Sequence, residues 1–405
     1  MSTYITDILW ISSSPPYSKI STAGGQTFNY YFKNIASDER FKVRLISLVD
    51  SKQKDAVKSE MKEISYKLIA SETSWKKVIN IDSRCNPWTK YAGLISNYRA
   101  LRILDEVKKY KSEGYVPDII ILEWTNTVVL ANEIKKIFPN SKLVASEHDV
   151  TFVGYERKKD YYHGIKKILW QIKYKKEKKL EIDCLKACEL VVPQNSDNAK
   201  LLVEEGISGN KMDHIVPYFN NMKRCARKSN KKDILFFGAM SRPENYLSAI
   251  WFIENVMPLL VDLDIRFVVL GSNPPEELAR FESERVHITG FVQSIEPFFE
   301  QSMCLVAPLV LGAGIKVKII EALSSGIPVL TNKIGIEGIP AENRKHYLHC
   351  ETPEEYSEFI HGLIMGRVSE EKLCLNSKRF IQERYSIEDS INNYKKRLSI
   401  MGGEK

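Results

Sequence analysis

The sequence predicts an α/β fold of two doubly wound domains that face each other across a cleft. Three observations predict it. Short apolar runs alternate with helix-like segments along most of the 405 residues, the pattern of parallel α/β architecture. The rhythm breaks once, at the polar, basic run NMKRCARKSNKK of residues 221–232, and then restarts. The length suits two domains, each of ~100–200 residues. The expected division is therefore 1–220, a linker at 221–232, a second domain at 233–385, and a terminal helix at 386–405 that packs back on the first domain.

The elements follow in order. TDILWIS and FKVRLISLV read as strands. SSPPYSKISTAGGQ between them reads as a loop, followed by the helix TFNYYFKNIAS. A helix is expected over Tyr98–Lys111, a buried strand at PDIIILEW, a helix over Val128–Ile137 and a strand at SKLVASEH. A long basic helical stretch precedes CELVVPQNSDNAKLLVEEG, which reads as strand, turn and helix. In the second half, DILFF, DIRFVVL, RVHITGFV, MCLVAPL and IPVLTN are the strands. PENYLSAIWFIENVMPLL and IKVKIIEALSS are the main helices between them, the latter stopped at Gly326. Ligands of such sheets bind beyond the carboxyl ends of the strands, and paired domains offer the cleft between them.

Composition narrows the partners. Apolar residues make up 43% of the chain, enough for real cores. No stretch approaches the ~18 uncharged apolar residues of a spanning helix. The N-terminus lacks the basic and apolar regions of a secretory signal, so a cytoplasmic protein is expected. The seven cysteines hold one close pair, Cys184 and Cys188, and no second pair at metal-ligand spacing; they read as free thiols in a reducing compartment. The net charge of +8 suits partners that carry phosphate.

The most informative string is APLVLGAGIKVKIIEALSSGIPVLTNKIGIEGI, from Ala307 to Ile339. A buried strand feeds a turn at Gly312 and Gly314, and a helix starts at once. Glycine lets backbone approach a ligand closely, and free N–H groups at a helix start bind phosphate. Lys316 and Lys318 sit where cations oppose the helix dipole, which fits a bound anion. Glu321, three residues after Lys318, shares its helix face. Its carboxylate suits two vicinal hydroxyls such as those of ribose.

This string resembles the donor-binding signature of retaining glycosyltransferases with the GT-B fold, the group 1 or family 4 type. They have a strand, a glycine turn, a helix bearing Glu-Ala, then Gly-x-Pro-Val; here these are Glu321-Ala322 and Gly326-Ile327-Pro328-Val329. FFGAMSRPENYLSAIWFIENVMPLL, VLGSNPPEELARF and VHITGFVQSIEPFFEQSMCLVAPL are similar to the family's preceding elements, so the likeness covers nearly all of 233–340. It implies two Rossmann-like domains. It implies that Glu321 binds the ribose hydroxyls and that the Gly314–Ile315 backbone binds the diphosphate. Arg242 would neutralise diphosphate charge, and the Val292 backbone would contact the base. Where many members carry a first glutamate, this chain has Ala313, which leaves the sugar open.

In the first half, Gly24-Gly25 matches a family glycine pair that lies against diphosphate and sugar, and otherwise reads as an ordinary flexible loop. His148, ahead of Asp149 at the end of SKLVASEH, resembles the family's histidine beside the reacting sugar. Glu123, last but one in PDIIILEW, stands at a similar strand end. Residues 156–181 carry ten Lys or Arg interleaved with Tyr161, Tyr162, Ile165, Ile168, Leu169, Trp170, Ile172 and Tyr174. Such a helix lies on an anionic membrane or packs its apolar stripe on its own domain. No RNA- or DNA-binding signature accompanies it, so no nucleic-acid partner is expected.

The resemblance implies transfer of a hexose-type sugar from a nucleoside diphosphate sugar to an acceptor hydroxyl. The basic stretch points to a lipid-linked glycan acceptor, in making a surface polysaccharide at the inner face of a membrane. His148, Arg242, Lys316 and Lys318 are the expected catalytic residues. No cofactor or metal is expected, because protein cations do the neutralising. A sugar-nucleotide epimerase shares the architecture but would add acid and base groups, and the chain has only seven histidines. A non-catalytic partner subunit of this fold is the third reading, and Ala313 is its support.

Overall fold

The computed structural model describes residues 5–20, 22–51, 53–61, 64–70, 88–222 and 233–403. The expected linker falls, from residue 223 on, outside them. The chain divides into two compact units, residues 1–218 with 387–405, and residues 219–386.

Unit 1 is built on six strands: β1 (Thr6–Ser12), β2 (Phe41–Val49), β3 (Ser65–Ala70), β4 (Ile119–Glu123), β5 (Lys142–Glu147) and β6 (Leu190–Pro193). They lie in the order β3-β2-β1-β4-β5-β6, and every pairing is parallel. β1 shows why its sequence is continuously apolar. Ile8 and Trp10 face one core layer while Leu9 and Ile11 face the other, and a parallel strand covered on both sides reads as an unbroken run. Trp10, Phe28 and Phe32 pack tilted and edge-on at 5.3–5.6 Å between ring centroids. The terminal helix Ile387–Gly402 belongs to this unit and buries Ile391, Tyr394 and Leu398 in the same layer. Ser390 fixes its start: its hydroxyl accepts the Val216 N–H at 2.9 Å and meets the Tyr31 hydroxyl at 2.6 Å.

Unit 2 repeats the plan with β7 (Asp233–Phe237), β8 (Arg266–Leu270), β9 (Val286–Gly290), β10 (Ser302–Ala307), β11 (Val329–Thr331) and β12 (Leu348–His349). The order is β12-β11-β10-β7-β8-β9, again all parallel. Phe252 and Phe267 pack tilted, 4.6 Å apart, in its core. In both units the strand order reverses beside the first strand, between β1 and β4 and between β7 and β10. Such a reversal opens a crevice at the carboxyl edge of the sheet.

Three expected elements shift. The first helix runs Ala23–Ala36 rather than from Thr27, because the Thr22 hydroxyl accepts the Gly25 N–H and caps it. The glycine pair is thus the first turn of a helix and not a loop. The helix expected over Val128–Ile137 is two pieces, Thr125–Val128 and Ala131–Ile137. The helix after the glycine turn starts at Val317, which makes Lys316 its N-cap. Among the described residues no helix is long and apolar enough to cross a membrane.

Candidate functional site

In unit 2 the two segments beside the strand reversal are 238–242, after β7, and 308–316, after β10. The second is the glycine turn. Gly312 and Gly314 have φ of 126° and 68°, left-handed conformations that cost other residues roughly 1–2 kcal/mol. Ser248 accepts the Val310 N–H at 3.2 Å, and the Asn332 amide donates to the Leu309 carbonyl at 2.8 Å. These contacts tie the turn to its surroundings. Two helices begin at this edge, Pro243–Asn255 after Arg242 and Val317–Ser325 after Lys316, and neither has a side-chain cap on its first N–H groups. Pro243 has no N–H and the Asn245 N–H turns back to the Arg242 carbonyl at 2.9 Å, so of the two starts the one at Val317 is better suited to receive an anion on its leading N–H groups.

Three cations gather here. The Lys316 ammonium donates to the Gly314 carbonyl and lies 3.2 Å from a Glu337 carboxylate oxygen. Lys318 donates to Asn245 Oδ1 at 3.0 Å and lies 4.4 Å above the Phe236 ring. The Arg242 side chain is 65% exposed, with Nε 3.6 Å from Glu244. Burial, then the charges of Lys316 and Arg242, bring the Lys318 ammonium down to about 7 against a partial pull from Glu244. Holding cations this close opposes their charging, and an arriving anion reverses the sign of that interaction.

Glu321 is buried one turn further along the same helix. Its Oε1 accepts both the backbone N–H and the side-chain amide of Asn220 at 3.2 Å. Burial pushes the carboxyl up and these two donors draw it back. Gly314 and Ile315 are buried at the turn, and Ala313 is half-buried between Gly312 and Gly314. Val292 follows β9 at the carboxyl edge, two strands from β7 and beside Phe291, which is 77% exposed. The chain's one Asp-x-Asp triplet, Asp262-Leu263-Asp264, precedes β8 at the opposite edge, and Asp262 lies 3.1 Å from His361. Asn220, Asn245, Glu244 and Glu337 escaped the sequence reading. Only Glu244 and Asn245, next to Arg242, offered a local signal.

In unit 1 the strand reversal gathers Gly24, Glu123, Trp124 and His148. A Cβ on Gly24 would lie 3.1 Å from His148 Nδ1 and 3.4 Å from Trp124 Nε1, so glycine lets the helix start close on both rings. Glu123 is buried and accepts from Trp10 Nε1 at 2.8 Å and from Ser146 at 3.0 Å. His148 Nε2 faces Glu123 Oε1 at 2.5 Å, and the Gln194 amide faces Nδ1 at 2.6 Å. A carboxylate on one nitrogen and an amide donor on the other fit an imidazole protonated on Nε2. Both ring nitrogens are engaged inside the unit, so His148 presents its ring edge and backbone rather than a spare nitrogen. Asp149 beside it is exposed.

Trp124 has φ of 68° and ψ of 152°, a strained conformation for a non-glycine residue, costing of order 1–3 kcal/mol. Its N–H donates to the Ser146 carbonyl at 3.0 Å, and its ring packs 5.1 Å from His148 and 5.2 Å from Phe28. Behind it, Glu147 and Glu181 are fully buried. Glu181 accepts the Thr151 and Phe152 N–H groups at 3.0 and 3.1 Å, capping the helix Thr151–Tyr161. Burial pushes its carboxyl up to about 8.

Residues 231–365 match the family model described as Glycosyl transferases group 1. This stretch holds Arg242, the glycine turn, both lysines and Glu321. The second unit is a glycosyl transferases group 1 domain, and the two sheets together are of the GT-B class. HepE of Anabaena, solved in complex with UDP, is similar over 98% of this chain and 100% of its own, at 14% identity and a TM-score of 0.67. Sucrose-phosphate synthase of Thermosynechococcus elongatus is similar over 99% of this chain and 100% of its own, at 13% identity and a TM-score of 0.71. An uncharacterized 44.6 kDa protein in the cps region of Klebsiella pneumoniae is 21% identical over 164 residues, 38% of this chain and 42% of that protein.

Proposed function

We propose that the protein is a glycosyltransferase that moves a hexose-type sugar from a nucleoside diphosphate sugar to an acceptor hydroxyl. The observation that carries this reading is the gathering of Arg242, Lys316 and Lys318 at the uncapped helix start of Val317, beside the β7–β10 reversal. The departing diphosphate gains charge in the transition state, and prearranged cations and N–H groups stabilise that charge most. In this reading protein cations take the part a metal would otherwise play. The Gly314–Ile315 backbone holds the diphosphate, Glu321 the ribose hydroxyls, and the Val292 backbone the base. HepE of Anabaena has been solved with UDP-glucose as well as UDP, which makes UDP-sugars the first donors to try.

Acceptor binding falls to unit 1, at the strand reversal where Gly24 and His148 meet; Gly25 is buried against Ile20 and shapes the helix start instead. Glu123 and Gln194 serve to hold the imidazole. The acceptor we propose is a lipid-linked glycan in surface polysaccharide synthesis at the inner face of a membrane. Retention of anomeric configuration goes with the family resemblance.

Incubation with membranes and radiolabelled nucleoside diphosphate sugars tests the reading. Labelled glycolipid is expected. An altered nucleotide sugar would show an epimerase instead, and no product with any donor would leave a non-catalytic subunit. Arg242→Ala should lower turnover more than donor affinity, because leaving-group charge develops after binding. Normal turnover at saturating donor would remove Arg242 from the site.

Glu321→Gln is the cleaner probe of the ribose contact. Glutamine keeps an acceptor for Asn220 and loses only the charge, so donor affinity should fall about tenfold with the melting temperature held. Alanine would also strand the Asn220 N–H, at ~1–3 kcal/mol of stability. Calorimetry showing equal affinity for wild type and Glu321→Gln would end the ribose assignment.

A further inference from the structure

The basic stretch of unit 1 folds as two helices, Thr151–Tyr161 and Gly164–Lys186, joined at Tyr162 and His163. Apart from Tyr161, which is exposed, its aromatic residues pack between the two helices. Trp170 stacks on Tyr155 at 5.6 Å and on Tyr162 at 6.2 Å, with the Lys158 and Lys173 ammonium groups over its ring. Glu177 and Glu181 are buried on the inner side of the second helix. Trp170 is therefore spent holding the two helices together.

The outer end is different. Every residue from His163 to Leu169 is exposed. Ile165, Ile168 and Leu169 are 78%, 59% and 47% exposed, and their i, i+3, i+4 spacing puts them on one helix face. Lys166 and Lys167 lie between them, and Lys175 and Lys176 are exposed two turns on. From Tyr161 to Lys176 the sequence holds five lysines and no carboxylate. Exposed aliphatic residues ringed by one sign of charge fit an interface that is apolar inside and anionic at its surface.

We propose that this helix end docks on an anionic lipid bilayer, with Ile165, Ile168 and Leu169 entering the headgroup boundary and the lysines on the phosphates. The proposal rests on the reading of a lipid-linked acceptor, and it supplies that reading with the face that meets the lipid. No carboxylate lies between Tyr161 and Lys176 to repel the surface, and Asp160 just before them lies 3.4 Å from the Lys159 ammonium. Burial pushes Glu177 and Glu181 behind this end up to about 8, which keeps their charge low near neutrality.

The test is sedimentation of the full chain with vesicles, without donor. Phosphatidylglycerol–phosphatidylcholine vesicles should pellet the protein at low salt and less as salt rises, because exposed charges are screened beyond ~8 Å at physiological ionic strength. Pure phosphatidylcholine should pellet little. Changing Lys166, Lys167, Lys175 and Lys176 together to glutamine should weaken anionic-vesicle binding at least about a hundredfold. Ile165→Ser with Ile168→Ser and Leu169→Ser should weaken it at high salt as well as low, since it removes apolar insertion. All seven side chains are exposed, so both variants should melt as wild type does and bind donor equally.

Equal pelleting of wild type and either variant overturns the proposal. So does a dimer in sedimentation velocity that the serine variant abolishes, which would make this face a contact between copies. RNA binding lost with the lysines, without vesicle binding, overturns it too. Transfer to a water-soluble acceptor without vesicles is scored separately. Its loss with vesicle binding kept would refute the transferase reading alone, and the reverse would refute the docking alone.

Discussion

Lys318→Met is expected to weaken binding of a nucleoside diphosphate sugar about ten- to a hundredfold and leave unit 2 at least as stable. The two effects have one cause. Lys318 lies above the Phe236 ring, beside Lys316 and Arg242, and its ammonium is brought down to about 7 by burial and those charges. Methionine keeps an unbranched stem over the ring, where its sulfur packs well, and removes a cation the fold disfavours. The diphosphate loses a charged hydrogen-bond donor worth ~1.5–3 kcal/mol, and each ~1.4 kcal/mol is tenfold in affinity. Calorimetry and thermal melting read the two effects. A variant that binds normally, or that melts well below wild type, makes Lys318 structural.

Cutting the chain after Ser386 is expected to unfold unit 1. The lost helix buries Ile391, Tyr394 and Leu398 against the sheet, each contributing roughly 1.5–3 kcal/mol. Together they come close to the ~5–15 kcal/mol by which a domain is stable. The cut also strips the Ser390 hydroxyl from the Val216 N–H and the Tyr31 hydroxyl. Unit 2 keeps its own core, so its nucleotide binding should survive while circular dichroism shows a partly unfolded chain. An intact two-unit melt after the cut would mean the helix is an accessory.

Strands with long apolar runs were legible, even where Lys42 and Arg44 interrupt the start of β2. TDILWIS and FKVRLISLV are β1 and β2 residue for residue. β3 escaped because a half-exposed edge strand, SYKLIA, carries no strong pattern. β12 is only two residues long. Thr22 shows how a local signal was misread. A glycine pair speaks for a loop, yet a threonine two residues ahead caps a helix through it.

The lysines, Arg242 and Glu321 were legible because a glycine turn and a helix start hold them within one short motif. Their partners were not. Asn220 reaches Glu321 across 101 residues of sequence. The Glu123–His148–Gln194 chain exists because β4, β5 and β6 are neighbours in the sheet, which brings three strand ends side by side. Pairing of that kind is set by topology, and no spacing in the sequence announces it.

The central claim is that unit 2 holds a nucleoside diphosphate sugar on Arg242, Lys316, Lys318 and Glu321. Titration calorimetry of the wild-type chain with UDP-glucose and its guanosine and adenosine counterparts, from pH 6 to pH 8.5, tests it most directly. The phosphates of these ligands keep fixed charge over that range, so a pH effect belongs to the protein. A bound diphosphate favours charged Lys318. Affinity should therefore be greatest below about pH 7 and fall as pH rises above it, by at most about tenfold per unit. Proton uptake on binding should appear as a dependence of the heat on the buffer, and Lys318→Met should abolish both. No saturable binding to any of the three nucleotide sugars, or binding that Lys318→Met and Glu321→Gln leave untouched, would contradict the account.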